Sequence, residues 1–177
     1  MTEHRTSLTA LGLWLLLVTV GARAAPGQSA PPAPTRVLAE LEGHWEGTGV
    51  ILGQPSRVQM DWARTLADRF ARLTFVSHIG AEPKTQRFEG HAYYQAAGPD
   101  HYRATWFDSS GLVRPIRATS TSGTLVAAWG TPDTEEGETT YRLTLPDRLD
   151  VVDRVKGKDG TWREFGRSTL SRTLRPE

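Results

Sequence analysis

From Gly43 onward, turn-forming residues recur every 8 to 14 positions, a spacing that leaves no room for a packed helix. The breaks are Gly53-Gln54-Pro55, Ala67-Asp68, Gly80 to Pro83, Gly98-Pro99-Asp100, Ser109-Ser110-Gly111, Ser122-Gly123, Asp133 to Gly137, Pro146-Asp147 and Lys158-Asp159-Gly160. These residue types interrupt regular structure for different reasons: glycine takes positive φ, proline fixes φ, and aspartate or serine bonds its own backbone. About ten runs of strand length lie between the breaks, the pattern of a sandwich or a barrel.

Within the runs, character alternates residue by residue. Val58, Met60 and Trp62 share one parity, and Arg57, Gln59 and Asp61 the other. Phe88, Gly90, Ala92 and Tyr94 oppose Glu89 and His91, and Tyr102, Ala104 and Trp106 oppose Arg103 and Thr105. Tyr141, Leu143 and Leu145 oppose Arg142 and Thr144. One apolar and one polar face per strand describes a sheet wetted on one side only. Serial hairpins make a meander, and a long meander loses its exposed edges by closing on itself. The expected fold is all-β, an antiparallel up-and-down β-barrel of about ten strands over residues 36–175. A short helical turn at Val37 to Leu41 precedes it and is placed to plug one end. Gly43, Gly47, Gly49, Gly90, Ala92, Ala104 and Gly166 fall on the inward parity. Small inward residues in a barrel wider than eight strands predict a cavity.

The N-terminal residues have a different composition. Leu8 to Gly21 is apolar and too short to span a bilayer, and Ala22-Arg23-Ala24 is a small-x-small cleavage pattern. Residues 1–24 therefore read as a signal peptide with cleavage before Ala25, which makes the mature chain exported, periplasmic or secreted, with no integral membrane span. Residues 25–35 contain Pro31, Pro32 and Pro34 and read as a disordered Pro/Ala-rich tether. The absence of cysteine removes disulfides, thiolate metal sites and a cysteine nucleophile. A formal net charge of +1 offers no field for nucleic acid or an anionic membrane. Nothing in the sequence sets the oligomeric state.

Leu41-Glu42-Gly43-His44-Trp45-Glu46-Gly47 resembles the opening strand of the lipocalin and fatty-acid-binding-protein superfamily. Gly43-x-Trp45-x-Gly47-x-Gly49 is more distantly similar to the start of nitrobindin-type haem barrels. Tyr102 to Gly111, and Asp159 to Arg172, resemble hairpins of an uncharacterised, often exported bacterial family of lipocalin-like barrels. The resemblance implies a calycin-like barrel, with Gly43, Trp45 and Gly47 in structural roles. A nitrobindin-type barrel would hold haem through a histidine on its last strand. Ser168, Thr169, Leu170 and Ser171 stand there instead, so haem is disfavoured and no cofactor is expected.

The remaining candidates are weighed on their own chemistry. Trp45 reads first as a packing element closing a barrel end, ahead of a ligand-stacking role. Asp108-Ser109-Ser110-Gly111 is a hairpin turn; it lacks the context of a nucleophile elbow. His44, His78, His91 and His101 show no metal-ligand spacing. A hairpin centred on Gly98-Pro99 sets His91 near Trp106 and His101 near Ala96, roughly 17 Å apart, so no metal is expected. No catalytic constellation is present. Arg64, Tyr94, Tyr102, Arg114, Tyr141, Asp153 and Glu164 are polar residues on the inward parity; they either sit at wet rims or serve a ligand. Trp62, Tyr94, Tyr102, Trp106, Tyr141, Arg64 and Glu164 are the candidate ligand residues, including an Arg–Tyr group for a ligand carboxylate. The expected function is binding of a small lipophilic molecule in the barrel. The alternatives are an enzyme using Glu164 or Asp153 as base, and a filled barrel with a structural or interaction role.

Overall fold

The computed structural model describes residues 36–174; the predicted signal peptide and tether lie outside the described residues. A six-residue helix, α1 (Arg36–Leu41), leads into ten strands: β1 (Gly43–Ile51), β2 (Gln54–Thr65), β3 (Phe70–Ile79), β4 (Gln86–Gly98), β5 (His101–Asp108), β6 (Val113–Thr121), β7 (Thr124–Trp129), β8 (Gly137–Leu145), β9 (Arg148–Lys156) and β10 (Trp162–Thr173). Each strand pairs antiparallel with its sequence neighbours, and β1 pairs with β10, closing the barrel. The architecture is the all-β, ten-stranded, up-and-down barrel with a short leading helix that the turn spacing and alternation predict.

Closure depends on small residues at the seam. Gly47 pairs with Leu170 across β1 and β10, and a Cβ there would lie 2.0 Å from the Thr169 carbonyl oxygen. Only glycine lets the first and last strands approach this closely.

The two ends of the barrel differ. At one end α1 buries Val37, Leu38 and Leu41, each worth about 1.5–3 kcal/mol relative to exposure. Trp45 lies beneath the helix, fully buried, and its indole N–H donates to the Leu41 carbonyl at 2.8 Å. Gly43 turns the chain from helix into β1 at φ +132°, a backbone that L side chains rarely adopt. Arg172 of β10 lies over the Trp45 ring at 4.2 Å and donates to the carbonyls of Glu40, at 2.8 Å, and Glu42. The last strand is thereby stapled to the plug. The opposite end carries the connections around Gly53, residues 80–85, 109–112, 130–136 and 157–161, and among the described residues no helix covers it.

Three register shifts correct the sequence reading. One falls between Glu164 and Gly166 in β10. The extra residue there flips parity, so Phe165 faces in and Glu164 faces out. A second falls between Leu143 and Leu145, and it leaves Leu145 65% exposed although plain alternation places it inside. The third, between Ala96 and Gly98, sets His91 opposite Phe107 and His101 opposite Gly98, not Trp106 and Ala96.

Candidate functional site

Above the plugged end the barrel is not filled. A cavity of about 320 Å3 extends from the level of Tyr94 and Tyr141 to the uncovered end, where Leu52, Leu112 and Glu135 of three connections rim it. That volume is at the small end of ligand pockets, which run from about 300 to 1,000 Å3. Mostly apolar and aromatic side chains line it.

Its floor is an aromatic layer. Trp62 is fully buried and packs against Tyr94 at 5.3 Å and edge-on against Tyr141 at 5.4 Å between ring centroids. The two tyrosine hydroxyls are hydrogen-bonded to each other, and burial pushes both well above the usual phenol range. Both are therefore protonated at neutral pH. Trp62 thus supports the floor from below, while Tyr94 and Tyr141 present it to the cavity.

One wall is formed by Phe75, Phe88 and Trp106, with centroid separations of 6.2 to 6.5 Å. Trp106 lies over Gly90 of the neighbouring strand, where a Cβ would meet the indole at 2.0 Å. Trp129 lies over Gly137 in the same way, at 1.9 Å, and meets Phe165 edge-on at 6.4 Å. Glycine on one strand makes the recess for an indole from the next. The bulge in β10 supplies Phe165.

The polar groups fall into two sets. Near the mouth, the buried Asp108 carboxylate accepts from the Trp106 indole at 3.0 Å and from the backbone N–H groups of Ser110 and Leu112. Burial would raise its pKa, but these hydrogen bonds outweigh burial and hold it below the usual value. Arg114 reaches Asp108 at 3.5 Å and Glu135 at 3.0 Å, and stands 5.3 Å from the Trp129 ring centroid. Deeper in, Trp129 Nε1 donates to Thr139 Oγ1 at 3.3 Å, and Thr139 Oγ1 donates to Asp153 at 2.7 Å. Asp153 keeps some accessible surface although it lies deep inside the barrel, because that surface faces the cavity. Burial pushes its carboxyl up to about 6; the Thr139 bond opposes the rise and the Glu164 charge adds to it. Ser77, also on the wall and fully buried, has a hydroxyl with no protein partner.

The candidate ligand residues are thus divided. Tyr94, Tyr141 and Trp106 line the cavity, and Trp62 supports its floor. Tyr102 is buried near the plugged end, with its hydroxyl 3.3 Å from Ser120 Oγ, and does not reach the cavity. Arg64 is on the inward parity of β2 but beyond the plugged end, on the far side from the cavity; it is exposed and paired with Glu42 at 2.5 Å. Glu164 faces solvent and pairs with Arg167 at 2.7 Å. The predicted Arg–Tyr clamp is therefore not assembled from Arg64, and Glu164 is not a base in the cavity. Sequence reasoning missed Thr139, Trp129 and Phe165. Trp129 was detectable as the last residue of a strand before Gly130, whereas Phe165 is hidden by the bulge. Among the described residues no group of three or more histidine, cysteine, aspartate or glutamate side chains is placed to hold a metal ion.

No protein-family model matches the chain, and no curated protein matches it. Solved structures do. Rv2717c from M. tuberculosis superposes with a TM-score of 0.62 at 15% identity, over 77% of this chain and 94% of that one. The S-type phycobiliprotein lyase CPES from Guillardia theta superposes with a TM-score of 0.57 at 12% identity, over 78% of this chain and 92% of that one. At these identities the likeness establishes a shared lipocalin-like barrel fold and carries no activity across.

Proposed function

We propose that this protein is an exported member of the uncharacterised lipocalin-like barrels it resembles, and that it binds a small, largely apolar molecule in the barrel. The observation that carries the reading is the cavity itself: about 320 Å3, aromatic on two sides, plugged at one end and uncovered at the other. An interior built only for stability would be filled, since empty space costs the lining its contacts. Here Gly90 and Gly137 set two indoles back against the wall, which keeps the lumen clear. Export rests on residues 1–24, and N-terminal sequencing of the secreted form should find Ala25 first.

Native mass spectrometry of protein purified from its own host tests the binding reading. A retained small molecule, displaced by a neutral aromatic such as 2-ethylnaphthalene, is the expected result. A bare mass together with no uptake of that probe would leave a filled barrel with a structural role.

One observation favours a second reading. A carboxyl at about 6 in a cavity is in the range useful for proton transfer, so Asp153 is the candidate base if the barrel is an enzyme. Turnover of a bound molecule, lost in Asp153→Asn with binding kept, would select it.

A further inference from the structure

We propose that the molecule this cavity holds carries a protonated amine nitrogen at its inner end, and that Asp153 receives it. The inference rests on the ligand-binding reading above and adds the chemistry of the ligand.

Asp153 occupies an unusual position for an acid. It faces Gly166 across β9 and β10, and a Cβ at Gly166 would lie 2.8 Å from its Oδ2. The glycine and the adjoining bulge leave room for a carboxyl group at this point of the wall. One hydrogen bond, from Thr139, reaches the group, and among the described residues no arginine, lysine or histidine is within ion-pair distance of it. A buried carboxylate needs a partner, because desolvation costs several kcal/mol that only a counter-charge or several hydrogen bonds offset. The groups around it offer no charge: Thr139 and Tyr141 from β8, Tyr94 from β4 and Trp129 from β7 are neutral, and Glu164 from β10 has the same sign. The cation on the cavity wall, Arg114, is already held between Asp108 and Glu135 near the mouth. The missing partner is therefore external, cationic and small enough to enter.

The rest of the cavity fits the same molecule. Aromatic faces from Phe75, Trp106, Trp129 and Phe165 suit a flat apolar body, and ring faces also attract a cation passing between them. A ligand carboxylate would meet Asp153 with like charge, so fatty-acid-like anions are disfavoured.

Three probes of matched shape test this: 2-(aminomethyl)naphthalene, 2-ethylnaphthalene and 2-naphthoic acid, titrated calorimetrically into the purified protein at pH 7.5. The amine should bind about ten-fold or more tighter than the neutral probe, the scale of one charge-assisted hydrogen bond, and the acid weakest. In Asp153→Asn the amine and the neutral probe should converge to within about two-fold. In Glu135→Gln, which removes an acid at the rim, the preference should persist. Equal binding of amine and neutral probe, tighter binding of the acid, a preference that survives Asp153→Asn, or one lost in Glu135→Gln would each overturn the proposal while leaving the cavity a ligand site. Failure of all three probes to bind would sink the binding reading with it. The wild-type ranking decides the matter even if Asp153→Asn does not fold.

Discussion

His44 and Asp153 show how differently two titratable side chains of one barrel respond to their surroundings. His44 lies on the outer face, 8% exposed, between Asp61 at 3.0 Å and Glu46 at 2.9 Å. Burial lowers its pKa, but the two carboxylates outweigh burial and raise it above 6.5. Its stabilisation is full below 6.5 and is lost as pH rises through the raised folded value. Asp153 has burial and no counter-charge. Its folded pKa of about 6 exceeds the ordinary 3.8, so the fold favours the protonated acid. The protein is then most tolerant of Asp153 below about pH 4, and loses about 3 kcal/mol as pH rises to about 6. Asp153→Asn should accordingly be more stable than wild type in urea at pH 7, by up to about 3 kcal/mol, with the difference shrinking toward zero at pH 4. A variant less stable than wild type at pH 7 would show that the carboxylate is stabilised where it stands. Trp45 is the packing counterpart. It is fully buried, bonded to Leu41 and covered by Arg172, so Trp45→Ala should cost about 3–5 kcal/mol in the same melts. A shift under about 1 kcal/mol would contradict that role.

The strands were legible in the sequence because period two and turn chemistry act locally. Each hairpin is specified within about twenty residues, and nothing distant overrides it. The site was only partly legible, because parity fixes which face a side chain takes and not its height along the barrel. Tyr94 and Tyr102 share the inward face, yet one floors the cavity and the other packs at the plugged end. Arg64 has the correct parity and stands beyond the plugged end, away from the cavity. Bulges break parity altogether: Glu164 reads as inward only if β10 is regular, and the extra residue hands that place to Phe165. Partnerships between strands are the other invisible feature. Trp129 and Gly137 are direct partners across a seven-residue loop, and nothing local links them. Gly137→Val should expel the Trp129 indole, since the added Cβ lands 1.9 Å from it. The expected cost is about 1–3 kcal/mol of overpacking, with a shifted tryptophan emission spectrum and weaker probe binding. Gly98→Ala, where a Cβ meets nothing within 4 Å, is the matched control and should stay within about 0.5 kcal/mol. Equal effects of the two substitutions would mean that the glycine does not set the indole's place.

For the molecule as a whole, the placement of its histidines decides what the lumen can hold. Haem is the natural competitor to an apolar amine, an expectation raised by the Gly43-x-Trp45-x-Gly47-x-Gly49 run of the sequence. An axial histidine has to point inward at cavity height. Among the described residues none does. His44 is fixed on the outside by Asp61 and Glu46. His78 and His91 fall on the outward parity of β3 and β4, and His91 contacts Thr74 and Glu89 there. His101 is at the plugged end with its ring on the Pro99 carbonyl. The size of the cavity, near the lower limit of ligand pockets, also opposes a haem. Hemin added to the purified protein should therefore give only the broad Soret absorption of non-specific association, unchanged when His44, His78, His91 or His101 is replaced singly by alanine. A sharp, stoichiometric histidine-ligated spectrum that one of those replacements abolishes would require a strand to turn its histidine inward. The lumen would then have to be described as a haem pocket and not as a site for a small cationic aromatic.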